Sequence, residues 1–451
     1  MSTSQENTGL VRMVEAARGA AGILALRVIA AGIGFLGGIL LARMLGSNGL
    51  GVLAYASAWV GVIMIPATLG FQQLLPREIA RYQSQGDWGL LAGILAFSRH
   101  SVIAVSITLA VAAGLLAWII SGFETSSTVV TTFWIALLAV PFNSLIQIRQ
   151  SAMRGLGHVV WGQVPETLVA PALNLAILAV LYLAYDASLL PEEAVSIGLA
   201  ITILAFLIGN RLLAGLLPAP VGSAEPAVAK RLWLGSALPM VMITGMEVIN
   251  SQTDIIMLGT MTTEDQTGVY TVAARSAALV VFVWGSVNMA IGPIIARTHY
   301  GGDHAGVQDI VRKSAIVIFL CTVPICGALY LFGKEFLSLY GPEFVSGQTA
   351  LNILLIGNIV NALAGSVGLI LKMTGHERDV LWTGIMAALA NIILNAILIP
   401  RFGLEGAATA TTISMSIWPL AAGIMVFRRL RINPTVFGPL GAIVPNKHAR
   451  H

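Results

Sequence analysis

Charged residues and Gly, Pro and Asn clusters divide the chain into apolar runs at about 20–43, 50–74, 91–120, 128–149, 163–185, 194–217, 233–258, 268–293, 314–333, 348–371, 381–400 and 405–427. Each run is close to the roughly 20 residues that a helix needs to cross the hydrocarbon of a bilayer. The pattern therefore predicts an all-α integral membrane protein with about 12 transmembrane helices and short connections. No room remains for a large soluble domain.

The basic residues orient these helices. Nineteen Lys and Arg fall on the side of the N-terminus, whereas the opposite connections hold only Arg43, Lys334 and Arg401 among several carboxylates. Cytoplasmic loops carry the excess of Lys and Arg, so both ends are expected in the cytoplasm. Missing or splitting one span would invert every later loop and scramble the bias. The count and the orientation therefore support each other.

Composition removes the soluble alternatives. Hydrophobic residues make up 57% and charged residues 10% of the 451 positions, far below the ~25% charged residues of an ordinary soluble domain. The formal charge of +4 would point to nucleic acid in a soluble protein. Here its placement carries the meaning, and no nucleic-acid partner is expected. Residues 1–18 are polar and the first apolar run outlasts a signal h-region, so the first helix is expected to be its own uncleaved insertion signal. Cys321 and Cys326 lie about 140° apart around one helix and read as free thiols. The seven histidines lack metal-ligand spacing. The sequence contains no Walker loop, HExxH, GxSxG or paired carboxylates in an aqueous loop, so no catalytic residue, no resident metal and no ATP-driven pump is expected.

The segment LPAPVGSAEPAVAKRL, dense in Pro and Ala, lies near the middle and reads as a linker. It divides the chain into an N-terminal six-helix lobe (1–217), a cytoplasmic inter-lobe linker (218–232), a C-terminal six-helix lobe (233–427) and a cytoplasmic tail (428–451). The halves resemble each other: LGSNGLGVLAYA at 45–56 and LGTMTTEDQTGVYTVAA at 258–274, GLGH at 155–158 and MTGH at 373–376, NLAIL at 174–178 and NAILI at 395–399. Six spans per half is even, so both halves insert the same way. The repeat is a parallel pseudo-two-fold along the membrane normal, with a substrate cleft expected between the lobes.

Ionisable side chains at the bilayer centre cost about 2.5–3.5 kcal/mol each on insertion scales, so those present usually face a bundle interior or a wet cavity. Span seven carries Glu247, Asn250 and Asp254 at helical spacing on one face. Span one carries Arg27 and span eight Arg275, and Asp254 and Arg275 share a depth that would permit a salt bridge. In the functional reading the arginines and Asn250 bind an anionic substrate, since a guanidinium fork matches a phosphate, and Glu247 and Asp254 bind a coupling ion, Na+ or H+. In the structural reading the charges pair or snorkel. Asn358, Asn361, Asn391, Asn395 and Asn174 are read first as ties between helices, and Gly34 and Gly38 as a close-packing pair. The run PREIARYQSQGDWG at 76–89 predicts a short helix on the cytoplasmic face with solvated charges.

LLARMLGSNGLGVLAYASAW, LPREIARYQSQGD and the C-terminal pieces FGKEFLSLYGPEF, LKMTGHERDV and NIILNAILIPRFGLEGAATATTIS, in this order and spacing, resemble the polysaccharide-transporter (oligosaccharide or O-antigen flippase) branch of the multidrug/oligosaccharidyl-lipid/polysaccharide exporter superfamily. The resemblance implies two six-helix lobes around a central V-shaped cavity, and movement of undecaprenyl-diphosphate-linked oligosaccharides from the cytoplasmic to the outer leaflet. It also implies a bacterial cytoplasmic (inner) membrane as the location, and cavity arginines on spans one and eight, where Arg27 and Arg275 stand. Many relatives have fourteen spans against twelve here.

The expected function is thus a flippase without enzymatic activity, working by alternating access for cell-surface polysaccharide synthesis. Its expected partners are a lipid-linked oligosaccharide, the bilayer and polysaccharide-assembly proteins. The alternatives are a cation-coupled multidrug extruder of the same fold, a membrane-embedded glycolipid polymerase or ligase, and an assembly scaffold.

Overall fold

A computed structural model of the chain describes residues 28–120, 127–184, 188–238, 240–242, 244–246 and 248–438. Arg27 and Glu247 lie outside them. The described residues form Val28–Ala67 (α1), Phe71–Gln85 (α2), Trp88–Ile120 (α3), Thr128–Gly155 (α4), Val159–Ala184 (α5), Pro191–Leu216 (α6), Ala219–Ser223 (α7) and Lys230–Met261 (α8). They continue with Glu264–Ala278 (α9), Val281–Tyr300 (α10), His304–Leu331 (α11), Gly333–Ser338 (α12), Gln348–Ala364 (α13), Val367–Met373 (α14) and Glu377–Leu430 (α15). Among the described residues there is no strand.

Nine described helices are long and apolar enough to cross a membrane, or ten with the bent α8. Two of them are longer than one crossing requires: α1 is interrupted at Gly46 (φ 67°) and α15 at Gly403 (φ 56°). Divided at those glycines, the helices follow the twelve apolar runs. Leu36, Leu116, Leu183, Leu320, Met386 and Leu420 are among many large apolar side chains left exposed, as expected where the surrounding solvent is hydrocarbon.

The repeat is visible in local geometry. The amide of His158 bonds the carbonyl of Met153 after Gly157 (φ 86°), and His376 bonds Leu371 after Gly375 (φ 78°), both at 2.8 Å. Each is a helix stop closed by a glycine in the left-handed region. A further pair escapes the sequence comparison: Asp87 bonds Tyr82 at 3.0 Å after Gly86, and Asp303 bonds Thr298 at 3.1 Å after Gly302.

The chain divides into two compact units, Met1–Leu45 with Tyr55–Val248, and Gly46–Ala54 with Ile249–His451. The division thus falls inside α8, beyond the linker at 218–232. Within the N-terminal unit, Trp233 and Ala237 of α8 join a core with Phe71, Leu75, Ile79 and Tyr82 of α2, and the Trp233 indole donates to Tyr82 Oη at 2.9 Å. The linker packs along α3 in the same unit: Ala227 donates to Gly89 O at 2.9 Å, and a Cβ on Gly93 would lie 1.7 Å from Ala227 O. The helix that carries the second apolar run (50–74) ends at Ala67, and α2 starts at Phe71 rather than at Pro76. The charges of α2 are not all solvated, for Glu78 is buried between Arg77 (2.9 Å) and Arg81 (3.2 Å).

The C-terminal unit recruits Gly46–Ala54 through a reciprocal crossing. A Cβ on Gly51 would lie 1.8 Å from Glu264 O, one on Gly268 would lie 1.9 Å from Ser47 O, and Ser47 donates to Asp265 at 2.6 Å. Gly51 and Gly268 are equivalent positions of the repeat, so the contact is symmetric. Small residues allow such close backbone approach. Gly34 and Gly38 make no such approach, since a Cβ on either meets nothing within 4 Å. Past Leu430 the chain turns back onto this unit, where Asn433 and Gln308 exchange hydrogen bonds of 2.8 and 2.9 Å and Val436 donates to Leu363 O. The start of the expected tail is therefore packed.

Gly268→Ala should lower thermal stability in detergent by about 1–3 kcal/mol, because backbone carbonyl atoms block the added methyl. Gly34→Ala, with open space around it, should stay within about 1 kcal/mol of wild type. Equal melting of the two variants would refute the crossing.

Candidate functional site

Asp254, on α8, is buried within the C-terminal unit. Leaving a carboxylate there without partners would cost several kcal/mol. Three neutral donors meet it: Tyr270 Oη of α9 at 2.9 Å and Thr411 Oγ1 of α15 at 2.5 Å on one oxygen, and Asn395 Nδ2 of α15 at 2.8 Å on the other. Asn395 also donates to Asn391 Oδ1 at 3.0 Å, and Asn391 donates to Ser414 Oγ at 3.2 Å.

The break at Gly403 makes this arrangement. Asn391 and Asn395, one turn apart, precede it; Thr411 and Ser414 follow it. The two limbs approach closely at Gly406, where a Cβ would lie 2.3 Å from Leu398 O. The two glycines of the FGLEGAA segment thus bring both limbs of α15 to one carboxylate.

Among the described residues no cation pairs with Asp254, and the Asp254–Arg275 salt bridge that the depth reading permits does not form. Arg275 is exposed. It acts instead on Tyr340, in the connection before α13: burial pushes the Tyr340 hydroxyl above its ordinary pKa, and the Arg275 charge pulls it partway back. Asn250, one turn before Asp254, is exposed and outside the cluster. The structure therefore separates an exposed arginine from a buried carboxylate, and Arg27 and Glu247 fall outside the described residues. Of the other amides, Asn358 ties α13 to α9 through Ala277 O at 3.3 Å.

The cluster offers only oxygens: both of Asp254, the side-chain carbonyls of Asn391 and Asn395, and the hydroxyls of Thr411 and Tyr270. Asn395 Oδ1 is buried and accepts no hydrogen bond. An oxygen-only set with one orphan acceptor beside an uncompensated carboxylate fits a hard monovalent cation or a proton. Sequence reasoning found Asp254 and left out Tyr270, Thr411 and Ser414. Arg149, the last residue of the apolar run at 128–149, is buried and paired with Glu166.

The pattern of the family described as Polysaccharide biosynthesis protein matches residues 16–299. The chain belongs to that family. A second family pattern, MatE, matches residues 239–397, which include Asp254, Tyr270, Asn391 and Asn395. A Haloferax volcanii protein named "Probable low-salt glycan biosynthesis flippase Agl15" is 24% identical over 408 residues, covering 90% of this chain and 82% of its own length. The "Probable flippase AglR" of the same organism is 28% identical over 172 residues, 38% of this chain and 36% of its own. An inward-facing multidrug-resistance MATE family transporter of the MOP superfamily superposes with a TM-score of 0.72 at 14% identity, covering 90% of this chain and 98% of the other. A MOP superfamily transporter from Pyrococcus furiosus gives 0.62 at 13% identity, covering 90% and 95%. This family member thus has the MATE-like fold and is a multi-pass membrane protein.

Thr411→Val should destabilise the protein by about 1.5–3 kcal/mol by removing a donor from a buried charge. In Asp254→Asn the same change should lose most of its effect. A thermal double-mutant cycle reads the coupling, and strictly additive effects would show that Asp254 does not depend on Thr411.

Proposed function

We propose that the chain is a flippase for a lipid-linked oligosaccharide, moving the diphosphate and sugars across the cytoplasmic membrane by alternating access while the polyprenyl tail stays in lipid. The carrying observation is the separation of charges: Arg275 is exposed and without a carboxylate partner among the described residues, whereas Asp254 is buried among neutral donors. An exposed intramembrane guanidinium suits an anionic head group, because its planar fork donates two parallel hydrogen bonds to phosphate oxygens. The names of the two archaeal relatives support the same reading. They also widen the expected location from a bacterial inner membrane to a cytoplasmic membrane in general.

In this reading Arg275 receives the diphosphate, Asn250 assists, and the Asp254 cluster holds the coupling ion. Asp254, Asn391, Asn395 and Thr411 would be its ligands. The cation supplies charge compensation for Asp254, which links the ion to the packing of α8 against both limbs of α15. Glu247 is the second coupling candidate. A multidrug extruder of the same fold would favour cationic substrates, and the exposed Arg275 disfavours them. Proteins that assemble the polysaccharide are the expected partners of such a flippase.

In proteoliposomes holding a fluorescent polyprenyl-diphosphate oligosaccharide, wild type should move the label between leaflets. Arg275→Ala should slow it about tenfold or more, the loss of one charge-assisted contact. Asp254→Asn should abolish dependence on a Na+ or proton gradient. Wild-type flipping rates in Arg275→Ala would remove the arginine from the mechanism. A gradient response kept by Asp254→Asn would remove the carboxylate, and no movement by wild type would overturn the flippase reading.

A further inference from the structure

Three of the seven histidines gather at one end of the C-terminal unit. His299 lies in the last turn of α10, His304 opens α11, and His376 stands in the turn between α14 and α15. The rings of His299 and His304 are 6.1 Å apart, and the charge of His376 also acts on His299. The Tyr300 hydroxyl lies 3.6 Å from where a Cβ on Gly375 would stand, and His376 Nδ1 shares a hydrogen bond of 3.2 Å with Thr374 Oγ1. Beneath them Ile295, Val307, Ile370, Leu371 and Val380 belong to one core. The α10–α11 connection and the α14–α15 turn therefore rest on the same apolar base.

A neutral imidazole carries one proton, and a charged one carries a proton on each nitrogen. His299 Nδ1 is buried and makes no hydrogen bond, so an imidazolium there would hold a charged donor without an acceptor. A proton on His304 opposes one on His299 across the 6.1 Å between the rings. The carboxylates of the packed elements are engaged elsewhere or face solvent. Asp303 caps α11 by accepting from Gly306 N at 2.8 Å, Asp379 pairs with Arg429 at 2.9 Å and Asp309 with Lys313 at 2.7 Å, while Glu377 is exposed. The other charged groups at this end, Arg297, Arg312, Lys372, Arg378, Arg428 and Arg431, are all cations, and α13 carries no charge. Among the described residues no group of three histidine, cysteine or carboxylate side chains is placed to hold a metal ion, so the ligand these rings share is the proton. The repeat supplies a comparison. The matched turns at Asp87 and Asp303, and at His158 and His376, put Gln83 and Trp88 of the N-terminal unit where His299 and His304 stand. The same corner is thus built there with one histidine instead of three.

We propose that His299, His304 and His376 form a proton-operated joint: neutral, the rings close the α10–α11 connection against the α14–α15 turn, and proton uptake parts the two. The sign follows from the buried nitrogen. A histidine that takes its second proton only when the joint is open favours the closed form above its free pKa of about 6.5 and the open form below it. One such histidine raises the open fraction about tenfold between about pH 7.5 and about pH 5.5. The joint is independent of the flippase reading, since it uses neither Arg275 nor the Asp254 cluster.

The test is hydrogen exchange of the full chain in a neutral detergent, read by mass spectrometry, with labelling times scaled for the intrinsic effect of pH. The backbone amides at 296–306 and 371–380 should lose protection about tenfold from about pH 7.5 to about pH 5.5, centred near the histidine pKa of about 6.5. The equivalent amides at 80–90 and 153–162 should lose much less. His299→Gln, which matches Gln83 of the other unit, should keep the protection seen at neutral pH and lose most of the acid response. His304→Gln, on an exposed side chain, should reduce the response even where His299→Gln disturbs the fold. Equal protection of wild type across this range, an equal loss in both units, or an undiminished response in His304→Gln would overturn the joint. A loss that sets in only near the carboxylate pKa of about 4 would overturn it too, by assigning the response to Asp303, Glu377 or Asp379.

Discussion

Inside a bilayer the backbone has no water to bond, and each unsatisfied N–H or C=O costs several kcal/mol. Helices satisfy that requirement along their length, so polar chemistry is cheapest where a helix is already interrupted. The described structure follows this closely. The Asp254 cluster draws on both limbs of α15 beside the break at Gly403. Glu166 lies in the π-helical turn that begins at Pro165, a residue with no N–H to give to the ladder. The crossing that carries Gly46–Ala54 into the C-terminal unit starts at the break in α1. In each case the interruption brings together residues that an uninterrupted helix would hold apart.

The same constraint explains what was legible in the sequence. Hydrocarbon selects composition directly, so the apolar runs and the helices agree, and the repeat shows wherever a turn demands glycine, as at Gly157 and Gly375. Asp254 was legible as an intramembrane charge. Its partners were not, because Asn395 and Thr411 lie 141 and 157 positions away and are ordinary residues for a helix. The salt bridge to Arg275 was read from depth alone, and depth does not give direction around the helix axis. The apolar run at 128–149 stops at Arg149, yet α4 continues to Gly155 and that side chain is buried.

Glycine carries two meanings that composition cannot separate. At Gly51, Gly93 and Gly268 the absent side chain admits a neighbouring backbone, and at Gly209 it admits a guanidinium. Gly34 and Gly38, spaced as a packing pair, admit nothing. Spacing names a helix face; only the neighbouring helix decides whether that face needs to be bare.

Two buried charges are accommodated in opposite ways. Arg149 and Glu166 neutralise each other, so removing either side chain would leave the other as an uncompensated buried charge, at a cost of about 3–5 kcal/mol. Asp254 is held by an amide, a phenol and an alcohol, which satisfy its lone pairs and leave its charge. Binding a cation there removes a net charge from a low-dielectric site and opposes no existing ion pair. The N-terminal unit thus buries its charge as an ion pair, and the C-terminal unit buries its own as a carboxylate among neutral donors.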